Sequence, residues 1–294
     1  MNLFSWRLLF FPLTKKIRLF KIYYTQVNKQ QVAVYRSTFV LCQIYTGLAF
    51  IWPSKINTEN KITLKTTILD NADKIFENGR YEECYNLLIS CKQEEHDVEI
   101  KWRICRVLYN MSKDQKYEAS YKKKLISRAY QIIASELDSN WNNHAVQKWY
   151  AIILDAKSTN AGMTEKIEQL GNVRKHMDLA VTLNPDDATT LHMLGEWCYQ
   201  VTEISWLQRK TVEALFAPLP HSTYEDALEY FLRAETAQPR FYSINLLRIG
   251  ICYLKLKKED QAKYYLKLAA SYPAKSNNDH QANKEAMELL KKLK

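Results

Sequence analysis

The stretch LLRIGICYLKLKKEDQAKYYLKLA (residues 246–269) decides the fold. Leu246, Ile249, Gly250 and Tyr253 recur at helical spacing; Ala262, Leu266 and Ala269 do so again, and Pro273 closes the unit. Apolar residues at i, i+3, i+4 and i+7 put one stripe on each of two consecutive helices. Small residues within the stripe let the two axes approach closely. Such a hairpin exposes an apolar face that it cannot bury alone, so it is stable only when stacked on neighbours.

The spacing is that of a tetratricopeptide repeat, whose period is about 34 residues. The preceding unit is split. Leu191, Leu194, Gly195 and Cys198 begin it, but Ala227, Phe231, Ala234 and Pro239 arrive roughly twenty residues late against that period. The inserted piece carries Ile204, Trp206, Leu207 and Leu215, an extended or extra helix stopped by Pro218 and Pro220. A capping box is expected at Ser222 to Glu225 to restart the repeat. Trp206, Arg209 and Lys210 either bind a partner or brace the superhelix, and bracing is the favoured reading.

Upstream, Ile68, Ala72 and Ile75 face Tyr81, Cys84, Leu88 and Cys91 across a Gly79-Arg80 turn. Trp102, Cys105, Arg106 and Tyr109 open the next hairpin. Its second helix, with Ala129, Ile133 and Leu137, is expected after a lysine-rich connection at 113–124. Trp149, Ile152, Ile153 and Ala156 are followed by a connection at 158–166 and by Val173, Met177 and Ala180. At Asn184-Pro185 the asparagine is expected to cap the next helix and the proline to open it. The fold class is all-α: a tetratricopeptide-like right-handed α-solenoid of four to five helix hairpins over 61–274. A C-terminal capping helix follows at 275–294, and a basic, apolar leader precedes the repeats at 1–60.

The net charge of +10 is uneven: residues 1–60 hold eight Lys or Arg and only Glu59 as an acid. Three readings of the leader stand: a mitochondrial targeting segment, a membrane-seated anchor, or an arm with no address. Its second apolar run, 38–52, is shorter than the roughly twenty residues that span a bilayer. Membrane contact is therefore expected, if anywhere, through residues 1–60. The six cysteines form no C-x-x-C pair, and Cys84, Cys105, Cys198 and Cys252 fall at small apolar repeat positions. They read as packed, reduced thiols.

No nucleophile elbow, P-loop, dinucleotide fingerprint or zinc-protease motif is present in the sequence, and the six histidines are scattered. The expectation is no enzyme, no cofactor and no metal site. Partner binding is expected at two places. Within the repeat metre, the residue after position 4 faces the hollow of the superhelix in tetratricopeptide domains. That rule gives Arg103, Tyr150 and His192 as groove candidates, with Glu196 and Tyr199 further along the same helix. The second place is basic: residues 101–128 hold nine basic side chains against two acids. Lys113, Lys116, Lys122, Lys123, Lys124 and Arg128 are its candidates for docking an acidic partner. The alternative is a solvated face that compensates the acidic stretch before it. Without interleaved aromatics the stretch does not suit nucleic acid. Trp102, Trp149, Tyr150, Trp197, Tyr199 and Trp206 read as core rather than binding surface.

Several stretches resemble the regulator of microtubule dynamics family more closely than a generic repeat. They are QKWYAIIL (147–154), LNPDDATTLHMLGEWCY (183–199), SWLQRK (205–210), LFAPLPHSTYEDALEYFLRAE (215–235) and FYSINLLRIGICYLKL (241–256), with YPA at 272–274. The match runs over about residues 64–280 and includes the insertion. The resemblance implies a non-enzymatic protein that associates with microtubules, with tubulin as partner, at the spindle and its poles. It also implies cytoplasmic and cytoskeletal localisation. A membrane-anchored relative at mitochondria keeps a second reading open: a mitochondrial or membrane-contact adaptor whose repeat groove holds a peptide, helix or lipid. The family motif carries no residue-level site onto these positions.

Overall fold

The computed structural model describes residues 54–91, 97–215 and 218–293. The expected targeting segment, the apolar run at 38–52 and Cys42 lie outside them. Residues Thr67–Lys294 form one compact unit. Among the described residues the elements are all helices: α1 (Ser54–Glu77), α2 (Tyr81–Ile89), α3 (Val98–Lys113), α4 (Ala119–Ala134), α5 (His144–Ala161) and α6 (Met163–Leu183), then α7 (Ala188–Glu203), α8 (Trp206–Leu215), α9 (Tyr224–Ala237), α10 (Ser243–Lys255), α11 (Glu259–Ala270) and α12 (Asn277–Lys292). None of them is long and apolar enough to cross a membrane. The boundary expected at 60/61 falls inside α1.

The hairpins are α1–α2, α3–α4, α5–α6, α7–α9 and α10–α11, with α12 packed on the last two helices. Three apolar clusters run through the stack. Tyr130, Tyr150 and Met193 touch both the first and the second; Tyr199 and Tyr265 touch both the second and the third. Each hairpin is thus buried by its neighbours, as a repeat stack requires. Two glycines set the tightest crossings. A Cβ at Gly195 would sit 2.6 Å from the Phe231 ring, and one at Gly250 would sit 2.7 Å from Leu266 Cγ. Cys84, Cys105, Cys198 and Cys252 are free, buried thiols. Burial pushes Cys84 up to about 11 and Cys252 up to about 12, so both stay protonated and packed.

Four local expectations move. α5 runs on to Ala161 and a single residue, Gly162 at φ +124°, turns the chain into α6, so the connection expected at 158–166 is mostly helix. Only glycine adopts that backbone angle readily, which is why one residue suffices. α4 begins at Ala119, so Lys122, Lys123 and Lys124 are helical rather than part of a loop. Asn184 does not start a helix: its N–H closes α6 on Ala180 O, and Asp187 stands at the head of α7. The Asp187 carboxylate is held by Lys148 at 2.7 Å and by the Thr190 hydroxyl at 2.7 Å, which draws it away from the helix amides. Finally, the capping box of α9 sits one residue later than expected. Thr223 accepts from Asp226 N, and the Asp226 carboxylate accepts from Thr223 N.

Candidate functional site

The groove candidates are largely engaged within the protein. Arg103 donates through Nε and Nη2 to the Asp73 carboxylate at 3.1 and 2.9 Å and through Nη1 to Glu99 at 2.8 Å. Its guanidinium lies 4.1 Å from the centre of the Trp102 ring. Burial pushes the Asp73 carboxyl up, but the hydrogen bonds from Arg103 and Arg106 outweigh it and hold the group below the usual range. Tyr150 packs between Tyr130 and His176, and burial with the Tyr130 hydrogen bond pushes its phenol up to about 12. Glu196 pairs with Arg248, whose guanidinium lies 4.7 Å from the Tyr199 ring. His192 departs most from expectation. It is 8% exposed, its Nδ1 lies 3.0 Å from Asn245 Oδ1, and Phe231, Phe241 and Tyr242 surround the ring. It is a core residue, because α10 closes over that side of α7.

The six basic candidates do not share one face. Lys124 and Arg128 lie on the side of α4 that meets α2, and they line a pocket of about 430 Å³ with Glu82, Tyr85 and Tyr121. Lys116 pairs with Glu82 at 3.3 Å and with Asp114 at 3.5 Å. Lys113 and Lys122 turn the other way. With Lys166 from the start of α6 they line a polar basin of about 280 Å³, floored by Tyr109 and Asp155. Lys123 is exposed on α4. Helical geometry explains the division: residues 122 and 124 project about 200° apart around a helix. A loop reading of 113–124 hides this.

An apolar cleft of about 500 Å³ is built with the insertion. Ile167 and Leu170 of α6 form one wall, Trp197 and Val201 of α7 the second, Leu207 and Val212 of α8 the third. The volume lies within the ~300–1,000 Å³ of ordinary ligand sites. Trp197 is fixed from behind, its indole N–H donating to Leu170 O at 3.3 Å and Arg174 lying 4.9 Å from its ring centre. Arg209 supports α8: its guanidinium donates to Val201 O at 3.3 Å, Leu219 O at 3.1 Å and Pro220 O at 3.0 Å. Ser205 and Gln208 cap α8 reciprocally, Ser205 N to Gln208 Oε1 at 3.0 Å and Gln208 N to Ser205 Oγ at 3.3 Å. Arg209 therefore braces, whereas Trp206 and Leu207 are 72% and 68% exposed and Met163 is 73% exposed. Trp206 is a surface residue, not core: Arg209 holds α8 from its other side, which leaves the side carrying Trp206 in solvent.

Sequence reasoning missed the cleft and Lys166. The Ser205-Trp-Leu-Gln208 spacing, a capping-box pattern, was the available signal for α8. Nothing local marks Lys166, since the basin draws its lining from α3, α4, the end of α5 and the start of α6. Among the described residues no cluster of His, Cys, Asp or Glu has the form of a metal site.

Comparison with known proteins bears on both the repeat body and the insertion. The family model for regulator of microtubule dynamics proteins 1–3 matches residues 68–294. The chain is 39% identical over 224 residues to regulator of microtubule dynamics protein 1 of Bos taurus, covering 76% of this chain and 70% of that one. It is 31% identical over 225 residues to regulator of microtubule dynamics protein 3 of Mus musculus, covering 76% of this chain and 48% of that one. Among solved structures, the thermophilic TPR protein TTC0263 of Thermus thermophilus superposes with a TM-score of 0.53 at 13% identity, over 76% of this chain and 98% of that one. At that identity the likeness shows the fold alone, a tetratricopeptide-like solenoid. The family match spans the stack, the insertion that forms the cleft and the capping helix, and the chain belongs to the regulator of microtubule dynamics family.

Proposed function

We propose that this protein is a non-enzymatic interaction protein that associates with microtubules and regulates their dynamics, acting at the spindle and spindle poles. The observation that carries this reading is the family match over residues 68–294 together with the name its relatives share. The fold supports it, because a stacked-hairpin solenoid presents an extended surface for partners. Tubulin surfaces are acidic, and Lys123, Lys124 and Arg128 are exposed basic side chains of one helix. Triple substitution of these to glutamate is expected to lower the fraction that co-sediments with taxol-stabilised microtubules at least fivefold. Raising the salt is expected to have the same effect on the unsubstituted protein. Undiminished pelleting of the variant would count against this face.

A second reading, an adaptor at membranes, has the apolar cleft in its favour. It is tested separately by fusing residues 1–60 to a fluorescent protein. Mitochondrial fluorescence supports it and a diffuse signal refutes it.

A further inference from the structure

We propose that the apolar cleft and the three-lysine basin form one continuous site for an acidic peptide carrying a large apolar side chain. Asp155 and Lys166 line both spaces, so the cleft and the basin are neighbours that share one border. On one side of that threshold an occupant meets Leu170, Val201 and Leu207; on the other it meets the ammonium groups of Lys113, Lys122 and Lys166. These three come from α3, α4 and α6, and among the described residues none of them is in an ion pair. Lys113 Nζ lies 4.8 Å from the centre of the Tyr109 ring, which props it at the edge of the basin. Among the described residues Asp155 is the one carboxylate that lines the basin with them. Convergent like charges repel one another, and an anionic occupant relieves that repulsion.

The chemistry of the walls favours a peptide over a simple acyl chain. Beside Asp155 and Lys166, the Gln200 amide, the Gln208 amide nitrogen and the lone pairs of the Thr211 hydroxyl add polar groups to the lining, and these suit the polar main chain of an extended segment. The cations sit on three separate elements, so they match carboxylates spread along a chain better than one headgroup. The open lip, with Met163 and Leu207 exposed, admits a side chain from solvent. This site is distinct from Lys123, Lys124 and Arg128 and does not rest on the microtubule reading.

The test uses the full chain and two fluorescein-labelled peptides, one of six glutamates and one of six glutamates with a central tryptophan, followed by fluorescence anisotropy. The tryptophan peptide is expected to bind at least tenfold more tightly. Lys113→Glu with Lys166→Glu weakens both peptides at least tenfold. Leu207→Asn removes the tryptophan advantage and leaves the all-glutamate peptide unchanged. Thermal melts check that the variants fold, and Lys113→Ala with Lys166→Ala replaces the charge reversal if that pair does not. Equal binding of the two peptides, or binding indifferent to Lys113 and Lys166, overturns the proposal. So does the case in which oleate binds with dependence on Leu207 and Lys166 while neither peptide does, since the site would then take an anionic amphiphile. The Lys123, Lys124 and Arg128 variant is expected to bind the tryptophan peptide normally, so failure on microtubules and failure here are separable.

Discussion

Gly195 and Gly250 sit where one missing methyl group sets the distance between two helices. Gly195→Ala would force a Cβ to within 2.6 Å of the buried Phe231 ring, and a packed core has nowhere to move it. A loss of about 1–3 kcal/mol is expected from such overpacking, read as a lower melting temperature. Gly171, in α6, has nothing within 4 Å of its would-be Cβ. Gly171→Ala should therefore raise stability by roughly 0.5–1 kcal/mol through helix propensity alone. His192 makes a second, pH-dependent test. Burial lowers its pKa from 6.5; Glu196 and the Asn245 bond push it back up, and Arg248 lowers it again, leaving it net depressed. His176 shifts down too, from burial and then Lys175. A base whose folded pKa lies below its unfolded value contributes stability above the unfolded pKa and loses it as pH falls towards the folded one. Melting temperature is thus expected to decline as pH drops below about 6.5, and His192→Gln should flatten the decline. The glycines are legible in the sequence because the repeat metre demands small residues there. The same metre puts His192 in the groove, because it gives an angle around α7 and not the depth at which α10 covers it.

At the scale of elements, the helix ends carry the register. Ser276 and Asp279 form the capping box of α12, and the same carboxylate accepts from the Ser243 hydroxyl at 2.6 Å, tying the start of α12 to the start of α10. Asp279→Ala removes both the cap and this tie. Capping alone is worth about 1 kcal/mol, and the orphaned Ser243 hydroxyl adds about 1–3 kcal/mol of desolvation. Differential scanning calorimetry should show a destabilisation clearly larger than that of Thr223→Ala, whose capping box on α9 is exposed. Helix cores are readable from period alone, whereas their ends are not. Gly162 shows why: a one-residue turn and a nine-residue loop look alike in composition, and only the positive φ separates them.

For the whole molecule, stability is a chain of nearest-neighbour interfaces. Hydrogen exchange should therefore find the slowest amides in α5 and α7, which have stacked hairpins on both sides, and faster exchange in α2 and α12 at the two ends. Uniform protection along the stack would contradict this. The stacking itself, and the presence of an insertion within it, follow from counting residues against a repeat. The cleft does not, because it exists only where α6, α7 and α8 converge. Lys166 joins Lys113 and Lys122 only around the end of α5, where residues from α3, α4 and α6 line one basin.

The three carbonyls gripped by Arg209 have a kinetic consequence. They fasten α8 both to the end of α7 and to the Leu219-Pro220 segment beyond it. A wall tied to two neighbouring segments through one side chain is held in place, so an occupant meets a preformed seat rather than a flap that must shut behind it. Little conformational freedom is lost on occupancy. Arrival should then be limited by collision and orientation, at about 10⁵–10⁷ M⁻¹s⁻¹, with affinity differences among ligands expressed in how long each one stays.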